Sequence, residues 1–211
     1  MVNQLAKLRP PASDEFRVSI FGSARIKPGD PVYAQVRDLA RELSARGCAI
    51  VTGGGPGLMQ AANEGAQLGD PKNERASIGI RVDLPFEQRA NPFVEQAYTH
   101  QTFFTRLHHF ARLSSAFVVV DGGIGTALES LMVWQLLQVK HLEGVPLIFV
   151  GPMWKDLVGW AKKHMLGRAT PLANEKDLDL PVCVEDGAQA LAVLEKAMTE
   201  FRARGEAEKV G

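Results

Sequence analysis

A chain of 211 residues with 45% apolar content can bury one substantial core, and α/β classes use this length as a single domain. Lys plus Arg equals Asp plus Glu at 24 each, which leaves no overall basic field for a nucleic-acid backbone or an anionic membrane, so any anion must be recognised locally. No apolar run approaches the ~20 residues of a membrane span, and the first residues lack the apolar segment of a secretory signal. A cytoplasmic protein is therefore expected, with neither membrane nor nucleic-acid partners. Cys48 and Cys183 each sit in a short apolar run and read as reduced, buried thiols, not as a disulfide frame.

After an arm (1–15) carrying Pro10-Pro11, Arg17 to Phe21 is a β-prone run that ends at Gly22-Ser23. Apolar Val32, Val36, Leu39, Ala40 and Leu43 then recur at helical spacing from Pro31 to about Arg46, and Gly47 closes the helix. Cys48 to Thr52 is a second strand, broken by Gly53-Gly-Gly-Pro-Gly57, and Leu58 to Leu68 is a second helix stopped by Gly69. Ser77 to Val82 predicts a third strand. Asp83 to about Gln101, with Pro85 and Asn91-Pro92, reads as a long irregular loop of the kind that often carries function. Phe103 to Leu113 predicts a helix. Ala116 to Val120 is a continuous apolar strand, as expected in a parallel sheet covered on both faces. A helix from Gly125 to about Val139 follows. Val145 to Val150 and Leu180 to Val184 are further strands, Trp154 to Met165 is a helix, and Asp186 caps a last helix that reaches about Arg202 before a frayed tail (204–211). The alternation implies a Rossmann-like, doubly wound α/β domain over 16–203: a mostly parallel sheet of about six or seven strands with helices on both faces.

In such sheets ligands bind outside the carboxyl ends of the strands. Three glycine-containing turns stand there: Gly22-Ser23, Gly53 to Gly57, and Gly122-Gly123-Ile124-Gly125-Thr126. Glycine lets backbone approach a ligand closely, and helix N-termini attract anions, so a nucleotide or sugar phosphate is the expected ligand. Glycines are also what tight β-to-α turns need for their own sake. The chain has no G-x-x-x-x-G-K-[ST], no complete G-x-G-x-x-G and no G-x-S-x-G, which weighs against a P-loop enzyme, a dehydrogenase and an α/β-hydrolase. Glu129, about one turn into its helix, can face the crevice. Such a carboxylate can bond ribose hydroxyls, activate water or stabilise an oxocarbenium ion. Arg106 follows the aromatic pair Phe103-Phe104 and can hold a phosphate with two nitrogens. Glu87 in the long loop can reach over the crevice. His108 and His109 are adjacent on a helix and lack the i, i+4 spacing of a zinc pair, so no metal site is expected. Trp134, Leu136, Leu137 and Val139 form an apolar face expected to be core or a subunit interface.

Phe21-Gly-Ser-Ala-Arg25, Gly53-Gly-Gly-Pro-Gly-Leu-Met59 with Ala61-Ala-Asn-Glu-Gly65, Leu84-Pro-Phe-Glu-Gln88 with Asn91-Pro92, and Phe103-Phe-Thr-Arg106 together resemble the LOG family, best its longer bacterial subgroup. This family was often mislabelled as lysine decarboxylases and includes cytokinin riboside 5′-monophosphate phosphoribohydrolases. The resemblance implies hydrolysis of the N-glycosidic bond of a nucleoside 5′-monophosphate, AMP or an N6-modified AMP, to free base and ribose 5-phosphate. It implies no metal or organic cofactor and a homodimer to which Trp134 to Val139 contribute. The family's P-G-G-x-G-T-x-x-E motif aligns with Asp121 to Glu129 and its Arg-Lys pair with Arg106-Leu107. The resemblance thus implies Glu129 and Arg106 as catalytic, with Gly22, Ser23, Gly54, Gly55, Gly57, Met59, Glu87, Gly122, Gly123, Gly125 and Thr126 binding substrate.

Two positions depart from the pattern: Leu107 replaces a lysine and Asp121 a proline. An ionised Asp121 ~6 Å from a phosphate would repel it by about 3 kcal/mol at an effective dielectric of 20. Alternatively its side chain turns away and accepts backbone N–H bonds at the turn. These departures support a competing reading, a sensor or carrier that binds a nucleotide without turnover. A pyridoxal phosphate decarboxylase is a more distant one, since nothing singles out a Schiff-base lysine.

Overall fold

The computed structural model describes residues 15–83 and 89–210, with side chains as far as 205. The N-terminal arm and the Leu84–Gln88 motif, with Glu87, lie outside the described residues. Seven strands form one parallel sheet in the order β4-β3-β2-β1-β5-β6-β7: β1 Arg17–Phe21, β2 Ala49–Thr52, β3 Ser77–Val82, β4 Gln96–His100, β5 Ala116–Val119, β6 Leu147–Val150 and β7 Pro181–Val184. Chain order runs outward from β1 to one edge, then returns through a helix to β5 beside β1, with Val18 in register with both Ile50 and Ala116. The strand order reverses between β1 and β5. The crevice at their carboxyl ends is the switch point at which doubly wound sheets bind ligands.

Strand alternation divides the core. Val118 and Val120 point to the layer of α1 (Pro31–Ala45), α2 (Leu58–Gly69) and α7 (Gly187–Val210), whereas Phe117 and Val119 point to that of α3 (Phe103–Leu113), α4 (Ile124–Gln138) and α5 (Pro152–Ala161). Local chemistry sets the helix ends. Asp30 Oδ1 accepts from Val32 N at 2.8 Å with Pro31 in the first turn, and Gly47 at φ +86° takes the left-handed conformation that ends α1. Thr102 caps α3 through Thr105 N.

β4 occupies part of the segment expected to be irregular. Its sequence, Gln96-Ala-Tyr-Thr-His100, has little apolar content because an edge strand buries so little: only Tyr98 and His100 are even half-buried. A single π-helical turn at Lys162–Leu166 and the short α6 (Glu175–Leu178) also lacked a hydrophobic period to announce them. α7 continues to Val210 where fraying was expected, because residues after Arg202 are good helix formers apart from Gly205. Cys48 and Cys183 are both free thiols. Cys48 is fully buried, which pushes its thiol up to about 12, while Cys183 is only half-buried. No helix among the described residues is long and apolar enough to cross a membrane.

Candidate functional site

Two helices on the same side of the sheet bring Arg106 and Glu129 together. Arg106 lies one turn into α3 and Glu129 in the second turn of α4, and Nη1 of the arginine meets Oε1 of the glutamate at 2.8 Å. Both side chains are 11% exposed. Arg106 Nε donates to the carbonyl of Ile80 on β3 at 2.8 Å, and its guanidinium carbon lies 5.2 Å from the ring centroid of Phe110. Nη2 borders the glycine loop, where a Cβ on Gly53 would stand 2.5 Å from it and 2.7 Å from Met59 Sδ. The guanidinium is thus held on several sides at once. Burial pushes the Glu129 carboxyl above the usual carboxylate range, and Arg106 opposes that rise by charge and hydrogen bond.

The glycine turns differ in what they need glycine for. At Gly22 a Cβ would press on Val120 Cγ2 (2.7 Å) and Leu58 Cβ (2.8 Å), so this glycine serves the close approach of β1 to its neighbours. Gly57 has φ +72° and sits against the Ser23 carbonyl, and Gly54 has φ +70°. These two positions require left-handed backbone. Gly122 packs on Thr126, which is buried, whereas Gly123 and Gly125 are exposed and nothing lies within 4 Å of where their Cβ atoms would be. Gly123 is the N-cap of α4 and no side chain caps this end. The first turn of α4 therefore offers backbone N–H groups and a helix dipole to an anion. The loops are tied together: Ser23 N donates to the Asp121 carbonyl (2.9 Å) and Leu58 N to the Ser23 carbonyl (2.8 Å). Gly22, Ser23, Gly54, Gly55, Gly57, Met59, Gly122, Gly123, Gly125 and Thr126 thus share one edge of the sheet with Arg106 and Glu129.

Both departures from the family motif find places in the fold. Leu107 is buried, so its side chain offers the crevice no polar group. Asp121 Oδ1 lies 3.6 Å from the Cβ position of Gly151, and the residue lines a cavity of about 120 Å³ with Val36, Leu39, Val150 and Glu185, toward the α1 and α7 layer. It turns away from the α3 and α4 side that carries Arg106 and Glu129, toward the start of α5.

The apolar face expected at Trp134 to Val139 is mostly core. Trp134 is buried and donates to the Asp177 carbonyl at 2.7 Å, Leu136 and Leu137 pack on the inner cluster, and only Val139 stands out. The exposed apolar side chains of α4 are instead Ile124, Leu128 and Leu131. Sequence reasoning did not single out His100, whose Nε2 lies 2.9 Å from Nδ1 of His109. Burial and, for His100, the charge of Arg106 hold both imidazoles below their ordinary range. Asn63 and Asn91 stand in the family motifs, but neither they nor Thr52 was given a role. A polar side chain inside an otherwise apolar strand or helix face was the one available signal. Among the described residues no group of three or more His, Cys, Asp or Glu side chains is arranged to hold a metal ion.

The comparisons with known proteins fit this geometry. Residues 59–194 match the model of a family described as "possible lysine decarboxylase". The chain is 29% identical over 141 residues to the pyrimidine/purine nucleotide 5′-monophosphate nucleosidase of Escherichia coli (strain K12), which covers 64% of this chain but 31% of the relative, so the chain spans under a third of that protein's length. Among solved structures, the molybdenum cofactor carrier protein of Chlamydomonas reinhardtii superposes with a TM-score of 0.60 at 17% identity, over 88% of this chain and 99% of that one. The molybdenum cofactor binding protein of Rippkaea orientalis does so with a TM-score of 0.63 at 16% identity, over 86% and 96%. At such identities the likeness is one of fold. The matched family segment contains Arg106, the Gly122–Thr126 turn and Glu129, and the chain belongs to this "possible lysine decarboxylase" family, the LOG family.

Proposed function

We propose that this chain hydrolyses the N-glycosidic bond of a nucleoside 5′-monophosphate, with AMP or an N6-modified AMP as substrate. Water adds to C1′ of the ribose, the bond from C1′ to the base nitrogen breaks, and the proton lost by the water is balanced by the one the base gains. The products are free base and ribose 5-phosphate. The observation that carries this reading is the buried Arg106–Glu129 pair beside an uncapped helix N-terminus. The exposed first turn of α4 suits a phosphate. A carboxyl pushed up by burial is a stronger base than an ordinary glutamate and suits removing a proton from water or facing a ribosyl cation. Arg106 opposes that rise and aims the carboxyl. The name of the E. coli relative supports the same class of reaction.

A lysine decarboxylase fits poorly despite the family's description. A Schiff-base lysine is activated by desolvation or a cationic neighbour, and every lysine side chain among the described residues is exposed. A carrier that binds without turnover is the second reading. It draws on the fold shared with the molybdenum cofactor carrier and binding proteins and on Leu107, a buried apolar residue in place of the motif's lysine. One assay separates the two: incubation with AMP and other nucleoside monophosphates, with chromatographic detection of free base. Base release that Glu129→Gln abolishes is expected. Tight binding with no release, unaltered by that substitution, would establish the carrier instead.

The working unit under this reading is a homodimer. Ile124 (88% exposed), Leu128 and Leu131 recur at i, i+4 and i+7 on α4, and Phe104 on α3 is 85% exposed. A second copy of the chain would cover this apolar stripe beside the site.

A further inference from the structure

Four polar side chains are buried together beneath the glycine loop: Thr52 at the end of β2, Asn63 on α2, Ser77 at the start of β3, and Asn91. Thr52 and Asn63 are wholly inaccessible. Buried amides and hydroxyls destabilise a fold unless matched, and these are matched to one another and to the loop. Asn63 Oδ1 accepts from Thr52 Oγ1 at 2.7 Å and from Asn91 Nδ2 at 3.0 Å, while its own Nδ2 donates to Ser77 Oγ at 2.9 Å. Outward from this centre, Thr52 Oγ1 accepts from Gly54 N, Asn91 Nδ2 donates to the Gly55 carbonyl, and Asn91 N donates to the Gly54 carbonyl, each at 2.9 Å. Gly54 is thereby held at both its N–H and its carbonyl, in the left-handed conformation.

The preceding residue, Gly53, is the one whose backbone abuts Arg106 Nη2. We propose that Asn63 is a positioning residue: it sets the shape of the Gly53–Gly57 loop through Thr52 and Asn91, and through Gly53 it sets the seat of the guanidinium that aims Glu129. The proposal rests on reading this edge as the site of nucleotide cleavage. Asn63 itself lies beneath the loop and acts only through it.

A structural role alone would lower stability and leave the kinetics of folded protein unchanged, so the control must remove a comparable buried bond elsewhere. Ser44 on α1 donates to the Ala66 carbonyl of α2 at 2.8 Å and is also buried. Asn63→Ala, Thr52→Val and Ser44→Ala are to be compared at a temperature where circular dichroism shows all three folded, with kcat and KM for AMP measured across pH. Asn63→Ala and Thr52→Val are expected to lower kcat/KM at least twentyfold. The acid limb of their pH profile should move upward, since a displaced Arg106 holds the Glu129 carboxyl down less. Asn63→Asp, which keeps the oxygen that Thr52 and Asn91 address, should recover most of the loss, and Ser44→Ala should stay within threefold of the parent. Equal kinetics in Asn63→Ala and Ser44→Ala, with an unmoved acid limb, would overturn the proposal. Thr52→Val is near-isosteric and carries the test alone should Asn63→Ala not fold. If the parent chain releases no base from any nucleotide, the functional reading fails by itself. Positioning is then decided by amide hydrogen exchange at Gly53–Gly57, expected to be at least tenfold faster in Asn63→Ala and unchanged in Ser44→Ala; an unchanged rate in both refutes it.

Discussion

Arg106 places its guanidinium nitrogens against different neighbours: Nε donates to the Ile80 carbonyl, Nη1 pairs with the Glu129 carboxylate, and Nη2 fills the space a Cβ on Gly53 would need. This arrangement leads to specific expectations. Glu129→Gln removes the base of the proposed reaction and should slow base release by at least ~10²-fold, with nucleotide affinity changed only a few-fold by calorimetry. Arg106→Leu leaves Glu129 buried without its cation, so the carboxyl rises further. A group whose folded-state pKa lies above its unfolded value loses its stabilising contribution as pH rises. The Arg106→Leu chain should therefore lose more stability relative to the parent at pH 8 than at pH 5, as read by denaturant midpoints. Gly53→Ala would set a methyl 2.5 Å from Nη2, and we expect folded protein with slowed base release, as loss of the Arg106 guanidinium itself would slow it. His100 and His109 behave in the opposite sense to Glu129. Their imidazoles are held below the ordinary value by burial, Arg106, Arg112 and His108. Their contribution is present above about pH 6.5 and is lost as pH falls below it. The melting temperature should thus drop between pH 7.5 and pH 5.5, and less steeply in His109→Gln.

Among the elements, α3 and α4 carry the Arg106–Glu129 ion pair on which the proposed reaction rests, and the sheet lies beneath them. Trp154 of α5 is 1% exposed, packs on Phe149 of β6 at 5.3 Å between ring centroids, and donates to the Val120 carbonyl at 3.1 Å where the Gly122–Thr126 turn begins. Trp154→Ala should cost about 3–5 kcal/mol by chemical denaturation. Elements with a strong hydrophobic period were legible from sequence. The five-residue run Arg17–Phe21 and the capped helix Pro31–Ala45 follow directly from β-prone and i, i+3, i+4 patterns. β4 was not legible, because its backbone bonds to β3 hold it in place and its side chains bury too little to leave a pattern. The apolar face of α4 was legible only in part for a related reason: Trp134, Leu136 and Leu137 take the core alternative expected of them, while the outward-facing residues were not named. Its helix is apolar nearly all round, so periodicity could not say that Trp134, Leu136 and Leu137 face inward while Ile124, Leu128 and Leu131 face out.

For the whole molecule, that outward stripe is the basis of the dimer reading. Leu128→Glu with Leu131→Glu should leave circular dichroism unchanged and shift sedimentation from a dimer to a monomer; a parent chain that sediments as a monomer would remove the dimer from the reading. Composition, alternating periods and glycine-led turns were enough to determine a doubly wound α/β domain with three glycine-containing loops at one edge of its sheet, because burying apolar faces and closing tight turns are local demands written into residue spacing. The motif residues pointed in the same way to Arg106 and Glu129. Only the tertiary structure decided that these two charges pair with each other, that Asp121 turns toward Gly151, and that Asn63 joins β2, β3 and Asn91 beneath the loop. Each of these is a contact between residues far apart in the chain, settled by how the two helical layers pack on the sheet, and no spacing along the sequence encodes it.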